Sequence, residues 1–384
     1  MKTTHPEGSG AKYIKLPSQP VVVDWGLPFY GRLNFTLVKY KTMKTIEEVL
    51  AKYPRETLTR TPTPLDYLPY LSEKMNVEMY IKRDDLTDLA LGGDKPRKLE
   101  YEIAQARANG ADTLVTCGSS QSNHARLTTA AARKLGLKCA VVLSQDDWQA
   151  FQGNLLTVYL MGAQVKFVQT EDHWDLEEHA LKLCESLRAQ GYNPHYIPVS
   201  GTTPHGCLGY VRGALEVFDQ LKQRDIVLDA IYTPFGTGGI FTAMLLTLRE
   251  KGIECPIIGI SVNQNKEKCF GNLEKLWSSL STLLDPYPRR SRGPYEIHDQ
   301  FIGKEYGDPT EACLDAIMTM AQVEGILLDP VYSGKMFSGF LAHQKEGRWQ
   351  KKHRILLLHS GGIPALFAYH HKIEAHLRKR GVFG

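Results

Sequence analysis

The chain has no long apolar run, no paired cysteines and little net charge, and each absence removes a class of function. No stretch approaches the ~20 apolar residues needed to span a bilayer, and the N-terminus lacks the apolar block of a secretory signal. The seven cysteines (117, 139, 184, 207, 255, 269 and 313) are scattered without a C-x-x-C pair. This argues for reduced thiols in a cytoplasmic compartment rather than a disulfide framework or a cysteine-rich metal site. A formal charge of +4 over 384 residues does not call for a nucleic acid or another acidic polymer as partner. There is no internal repeat and no low-complexity tract. His370, His371 and His376 sit in a charged C-terminal helical pattern, read as a solvated face, so no metal is expected.

What is present is an alternation. From residue 62 onward, short β-branched runs (77–81, 113–117, 139–143, 164–168, 230–234, 257–260, 355–359) alternate with helical patterns. Leu176, Ala180, Leu183 and Leu187 are spaced as one apolar face. The pattern predicts an α/β fold with two open, mostly parallel, twisted sheets flanked by helices. Residues 1–40, punctuated by Gly and Pro, are expected to form an N-terminal arm or to be disordered. A large domain of residues 41–99 plus 206–384 and a small one of 100–205 are expected, with the ligand in the cleft between them.

Five segments carry chemistry. Gly92-Gly93-Asp94-Lys95-Pro96-Arg97-Lys98 places three cations within four residues where an extended run gives way to a helix beginning near Arg97. A lysine held among other cations loses its proton readily, as an imine-forming lysine must. Gln121-Ser122-Asn123-His124 follows an apolar run and opens another helix, offering a hydroxyl, an amide and free N–H groups to a carboxylate. Gly236-Thr237-Gly238-Gly239-Ile240-Phe241 joins a strand to a helix and suits a single phosphate. Phe241 stands where a dinucleotide fingerprint needs its third glycine, and no Gly-Lys-Ser/Thr follows. Asp329-Pro330-Val331-Tyr332-Ser333-Gly334-Lys335 and His359-Ser360-Gly361-Gly362 each read as strand end, turn and helix start, where open sheets place ligands. A reactive lysine, a one-phosphate cradle and a carboxylate site together imply pyridoxal 5′-phosphate acting on a small amino acid.

Through these motifs, from about residue 60 to the C-terminus, the chain resembles the pyridoxal-phosphate enzymes that include D-cysteine desulfhydrase and 1-aminocyclopropane-1-carboxylate (ACC) deaminase. These have the tryptophan-synthase-β-like fold, called fold type II. The resemblance implies that Lys95 is the Schiff-base lysine and that Asn123 contacts the pyridoxal 3′-oxygen. It implies that Lys98 and the amides of Gly236, Thr237, Gly238, Gly239 and Ile240 hold the phosphate. Ser122, with Gln121, Asn123 and His124, would bind the substrate carboxylate, while Tyr306 and Tyr332 would flank the amino acid. Asp94 departs from the Asn usual before the lysine, and Ile240 and Phe241 from the hydroxyl residues usual after the glycines. Ser333, as ring-nitrogen partner, stands where ring-opening members carry Glu. Ser360 and His124 stand where those members tend to have Leu and Gln. The implied reaction is α,β-elimination, D-cysteine to pyruvate, ammonia and hydrogen sulfide, by a cytoplasmic homodimer. ACC deamination, elimination from L-cysteate and a non-catalytic binding role are the alternatives.

Overall fold

The computed structural model describes residues 44–145, 151–169 and 175–382. The expected arm of residues 1–40 lies outside them. Among the described residues, ten strands form two sheets. In chain order they are β1 (Leu65–Tyr67), β2 (Glu78–Arg83), β3 (Thr113–Gly118), β4 (Lys138–Ser144), β5 (Gln164–Val168), β6 (Pro194–Tyr196), β7 (Ala230–Phe235), β8 (Ile257–Ser261), β9 (Tyr295–His298) and β10 (Arg354–His359).

The larger sheet has the order β1-β2-β10-β7-β8-β9, and the smaller β5-β4-β3-β6. Among these described strands, only the β1–β2 pair is antiparallel. Every strand of the smaller sheet falls between residues 113 and 196, and every strand of the larger lies before 84 or after 229.

Burial follows the pleat. Along β10, Leu356 and Leu358 pack into one core with the helices Pro204–Gln223 and Gly239–Glu250. Ile355 and Leu357 point the other way, into a core with Glu311–Glu324 and Ser333–Lys345. A strand covered on both faces has to be apolar throughout, which is why these runs read so clearly. In the smaller sheet, Leu114, Val141 and Leu143 meet helices Lys95–Ala108 and Asn123–Lys134. Val115, Cys117, Ala140 and Val142 meet Leu176–Ala189, whose Leu176, Ala180, Leu183 and Leu187 are all buried as the spacing predicts.

Three details differ from expectation. Strands β1, β6 and β9 were not anticipated. The helix after the paired glycines begins at Lys95 itself, with Pro96 in its first turn, rather than near Arg97. His376 is buried rather than solvated, because the helix beneath it supplies Asp315, 2.9 Å from Nε2, and Glu311, 3.3 Å from Nδ1.

Candidate active site

The three cations of the first motif part company on one helix. Residues 95 and 98 lie three apart and so share a face, while residue 97 points elsewhere. Arg97 is buried against Asp84 (2.9 Å) and Glu216 (2.8 Å). Burial alone would raise the Asp84 carboxyl, but the Arg97 guanidinium overrides it and holds it at about 2. This pair is a structural brace. Lys95 instead reaches into a cavity of 280 Å³ whose wall includes Ser122, His124, Gly236, Thr237, Asn263, Glu305, Tyr306 and Tyr332. Its ammonium meets the Asp94 carboxylate at 2.6 Å, not another cation as the sequence suggested.

Lys98 lies on a second, smaller hollow, with Gly236, Thr237, Gly238, Gly239, Ile240 and Ser360. The two share Lys95, Ser200, Gly236, Thr237 and Tyr332 and are therefore continuous. The Lys98 ammonium donates to Thr202 Oγ1 at 2.9 Å and to Ser200 O at 3.2 Å. Among the described residues it makes no ion pair. Burial, reinforced by the Lys95 ammonium, pushes its pKa down to about 8. It faces the start of the twelve-residue helix Gly239–Glu250 so closely that a Cβ on Gly239 would lie 3.0 Å from Nζ. A desolvated cation beside unpaired helix amides fits a phosphate monoester.

On the opposite wall, Ser122 caps the helix Asn123–Lys134, its hydroxyl accepting from Ala125 N at 3.1 Å. The capping hydroxyl leaves no room at residue 118, where a Cβ would stand 2.7 Å from Ser122 Oγ. His124 is buried, and neither ring nitrogen makes a hydrogen bond of ordinary geometry. Burial, then Lys95 and Lys98, hold its pKa well below 6.5, against a smaller pull from the Pro198 backbone. It is a neutral imidazole. The Tyr306 and Tyr332 hydroxyls are 2.7 Å apart. Burial and then Tyr306 raise Tyr332 well above 10, so it keeps its proton.

Gln121, Asn123 and Ser333 are not on the wall of either cavity. Gln121 and Asn123 are gathered by the buried Asn154, whose Nδ2 donates to Gln121 O at 2.8 Å and Asn123 Oδ1 at 2.9 Å. Ser333 Oγ gives its proton to Asp329 Oδ1 at 2.5 Å and accepts from Asp329 N at 3.0 Å. It has no proton left for a ring nitrogen. Arg126, one turn beyond Ser122, is buried and bonds Gly92 O at 3.0 Å, Asn154 Oδ1 at 2.6 Å and Ala90 O. Asn154, Thr202, Asn263 and Glu305 were not anticipated. Each arrives from a loop or helix start remote from the motifs, and no spacing announces it.

The family description Pyridoxal-phosphate dependent enzyme matches residues 56–361. The chain belongs to that family. Pyridoxal 5′-phosphate is the cofactor of this enzyme, and the phosphate-shaped surroundings of Lys98 agree with it. A D-cysteine desulfhydrase from Serratia proteamaculans is 37% identical over 333 residues, 85% of this chain and 99% of that one. A putative ACC deaminase from Pyrococcus abyssi is 35% identical over 324 residues, 84% and 96% of the two chains. The crystal structure of an ACC deaminase homologue superposes with a TM-score of 0.80 at 35% identity, covering 86% of this chain and 99% of that one. This pyridoxal-phosphate enzyme is thus a lyase of the D-cysteine desulfhydrase and ACC deaminase group, with the fold-type-II architecture. Among the described residues, no group of three potential metal ligands occurs, and no helix is long and apolar enough to cross a membrane.

Proposed function

We propose that the enzyme catalyses α,β-elimination on D-cysteine, which with one water gives pyruvate, ammonia and hydrogen sulfide. When bound, the cofactor supplies the electron sink that acidifies the Cα proton. Lys98 Nζ and the amides at the start of helix Gly239–Glu250 would hold its phosphate, and Lys95 Nζ its aldehyde carbon. Ser122 and the helix start it caps hold the substrate carboxylate. Lys95 Nζ, on the cavity wall, would take the Cα proton. As the Cβ–S bond breaks, its electron pair stays on sulfur and the Tyr306–Tyr332 pair supplies a proton to the leaving thiolate. Tyr332 keeps its proton at neutral pH, so its hydroxyl is present as a donor toward the departing sulfur.

The observation that carries the choice of substrate is at residue 333. Ring-opening members of the resembling group carry Glu there. Here the residue is a serine whose proton goes to Asp329. Asp329 is itself saturated, accepting from the N–H groups of Val331, Tyr332 and Ser333 at 2.9, 2.8 and 2.7 Å. Neither group offers a free carboxylate to keep a pyridine nitrogen protonated. Thiolate departure demands less of the electron sink than cleavage of a carbon–carbon bond.

The Pyrococcus relative favours the ring-opening reading and provides the second arm of the test. Holoenzyme is given D-cysteine, ACC or L-cysteate, and sulfide, 2-oxobutanoate or sulfite is measured. Sulfide from D-cysteine at the highest kcat/KM is expected; 2-oxobutanoate without sulfide would reverse the assignment. Product formed from any of these substrates and lost in Lys95→Ala separates an enzyme from a non-catalytic binder. The same reading includes two lobes, 41–99 with 206–384 and 100–205, enclosing the cofactor, in a cytoplasmic homodimer. Sedimentation of the holoenzyme tests the dimer.

A further inference from the structure

Lys335 closes the Asp329–Lys335 motif, and the chemistry above gives it no role. It is fully buried, yet makes no ion pair among the described residues. Its ammonium is spent on two backbone carbonyls from different segments: Ile302 O at 2.5 Å and, more weakly, Val262 O at 3.5 Å. Ile302 belongs to the loop after β9 that carries Glu305 and Tyr306. Val262 follows β8 and precedes Asn263, whose buried Oδ1 has no hydrogen-bond partner among the described residues. All three of these side chains stand on the wall of the 280 Å³ cavity.

Lys335 itself sits three residues after Tyr332, in the helix Ser333–Lys345 that Tyr332 caps. One helix start therefore fixes Tyr332 directly and, through the Lys335 side chain, the loop bearing Tyr306. A buried ammonium is an expensive way to hold a loop, since burial lowers its pKa and a neutral donor would escape that cost. Three freely rotating donors on a long stem can, however, span two strand-end loops at once.

We propose that Lys335 is a positioning residue for leaving-group protonation: it sets the loop of Tyr306 against the helix of Tyr332, so that the two hydroxyls lie 2.7 Å apart. The inference rests on the reading of this cavity as the site of thiol elimination.

The test compares two leaving groups. Thiolate departure uses the tyrosine proton; chloride departs from β-chloro-D-alanine without one. In holoenzyme, Lys335→Met is expected to lower kcat for D-cysteine at least tenfold and kcat for β-chloro-D-alanine less than threefold, with KM values little altered. A general loss of packing or of cofactor would depress both substrates together. That outcome, or unchanged turnover of both, overturns the proposal. Where Lys335→Met does not fold, Lys335→Gln, which keeps a donor but cannot span both carbonyls, carries the same comparison. Failure of both to fold would make Lys335 a residue of stability alone and would also overturn it. Tyr306→Phe is the control for the underlying reading. If it shows no leaving-group split, the tyrosine pair is not the acid. If it does and Lys335→Met does not, only the positioning role is wrong.

Discussion

Replacing Lys98 by Met removes a charge from the phosphate hollow while nearly preserving side-chain length. The wild-type ammonium, with its pKa lowered from 10.5 to about 8 by burial and Lys95, is destabilised before the cofactor arrives. That interval corresponds to ~3 kcal/mol, at ~1.4 kcal/mol per pH unit. A phosphate dianion at the helix start would relieve most of it and add charge-assisted hydrogen bonds. Lys98→Met should therefore weaken pyridoxal phosphate binding by ~3 kcal/mol, roughly two orders of magnitude in Kd. The apo protein should move the other way. Losing a buried ammonium gains ~3 kcal/mol, while losing its bonds to Ser200 O and Thr202 Oγ1 costs about 1 kcal/mol each. The net is a Tm raised by about 2 °C. The sign has a pH signature. Because the folded pKa lies below the unfolded one, the wild-type penalty is full below pH 8 and fades between about 8 and 10.5, and the variant's advantage fades with it. Fluorescence titration of the apo protein and a melting curve on the same preparation supply both readings. A Kd within threefold of wild type, or a lowered apo Tm with binding intact, would refute the argument.

Three further outcomes follow from the same geometry. Pyridoxine 5′-phosphate, which cannot form an imine, should bind the apo enzyme progressively more weakly above about pH 8, by up to ~10-fold per pH unit, as Lys98 loses its proton; isothermal titration at several pH values reads this. Ser333→Ala should lower stability by ~1–2 kcal/mol through the lost bond to Asp329 and leave kcat within about twofold, seen by denaturant melts and a sulfide assay. Glu305 is the one carboxylate among the described residues on the wall of the larger cavity, so Glu305→Gln should raise kcat/KM for L-cysteate by roughly two- to fivefold while D-cysteine changes less, measured as sulfite against sulfide.

A residue's place is legible in the sequence where one physical requirement dominates it. Strands β7, β8 and β10 are covered on both faces and must be apolar along their length, so their runs stand out. Ser122 stands at a helix start and caps it, as the order of the segment suggests, whereas Lys95 and Lys98 share a helix face only because the helix begins at Lys95 rather than near Arg97. β1, β6 and β9 are three or four residues long and lie at sheet edges, where pairing on one side demands little apolar character. Asp66, Pro194 and Glu296 fall within them. The role of Ser333 depended on where one hydroxyl points, and the competitor, Asp329, sits four residues back in the same motif. His376 read as solvated because its charged neighbours surround it in sequence, whereas the carboxylates that bury it come from residues 311 and 315.

Arg126 has a mechanical consequence. It belongs to the helix that follows β3 of the smaller sheet, but its guanidinium grips the carbonyls of Ala90 and Gly92, in the loop that leads from the larger sheet to Lys95. Its third partner, Asn154, also holds Gln121 and Asn123. The Gln121–His124 segment and the loop before Lys95 are thus pinned together at one buried point. Any rearrangement that parts the helix Asn123–Lys134 from the loop before Lys95 has to break these buried bonds first.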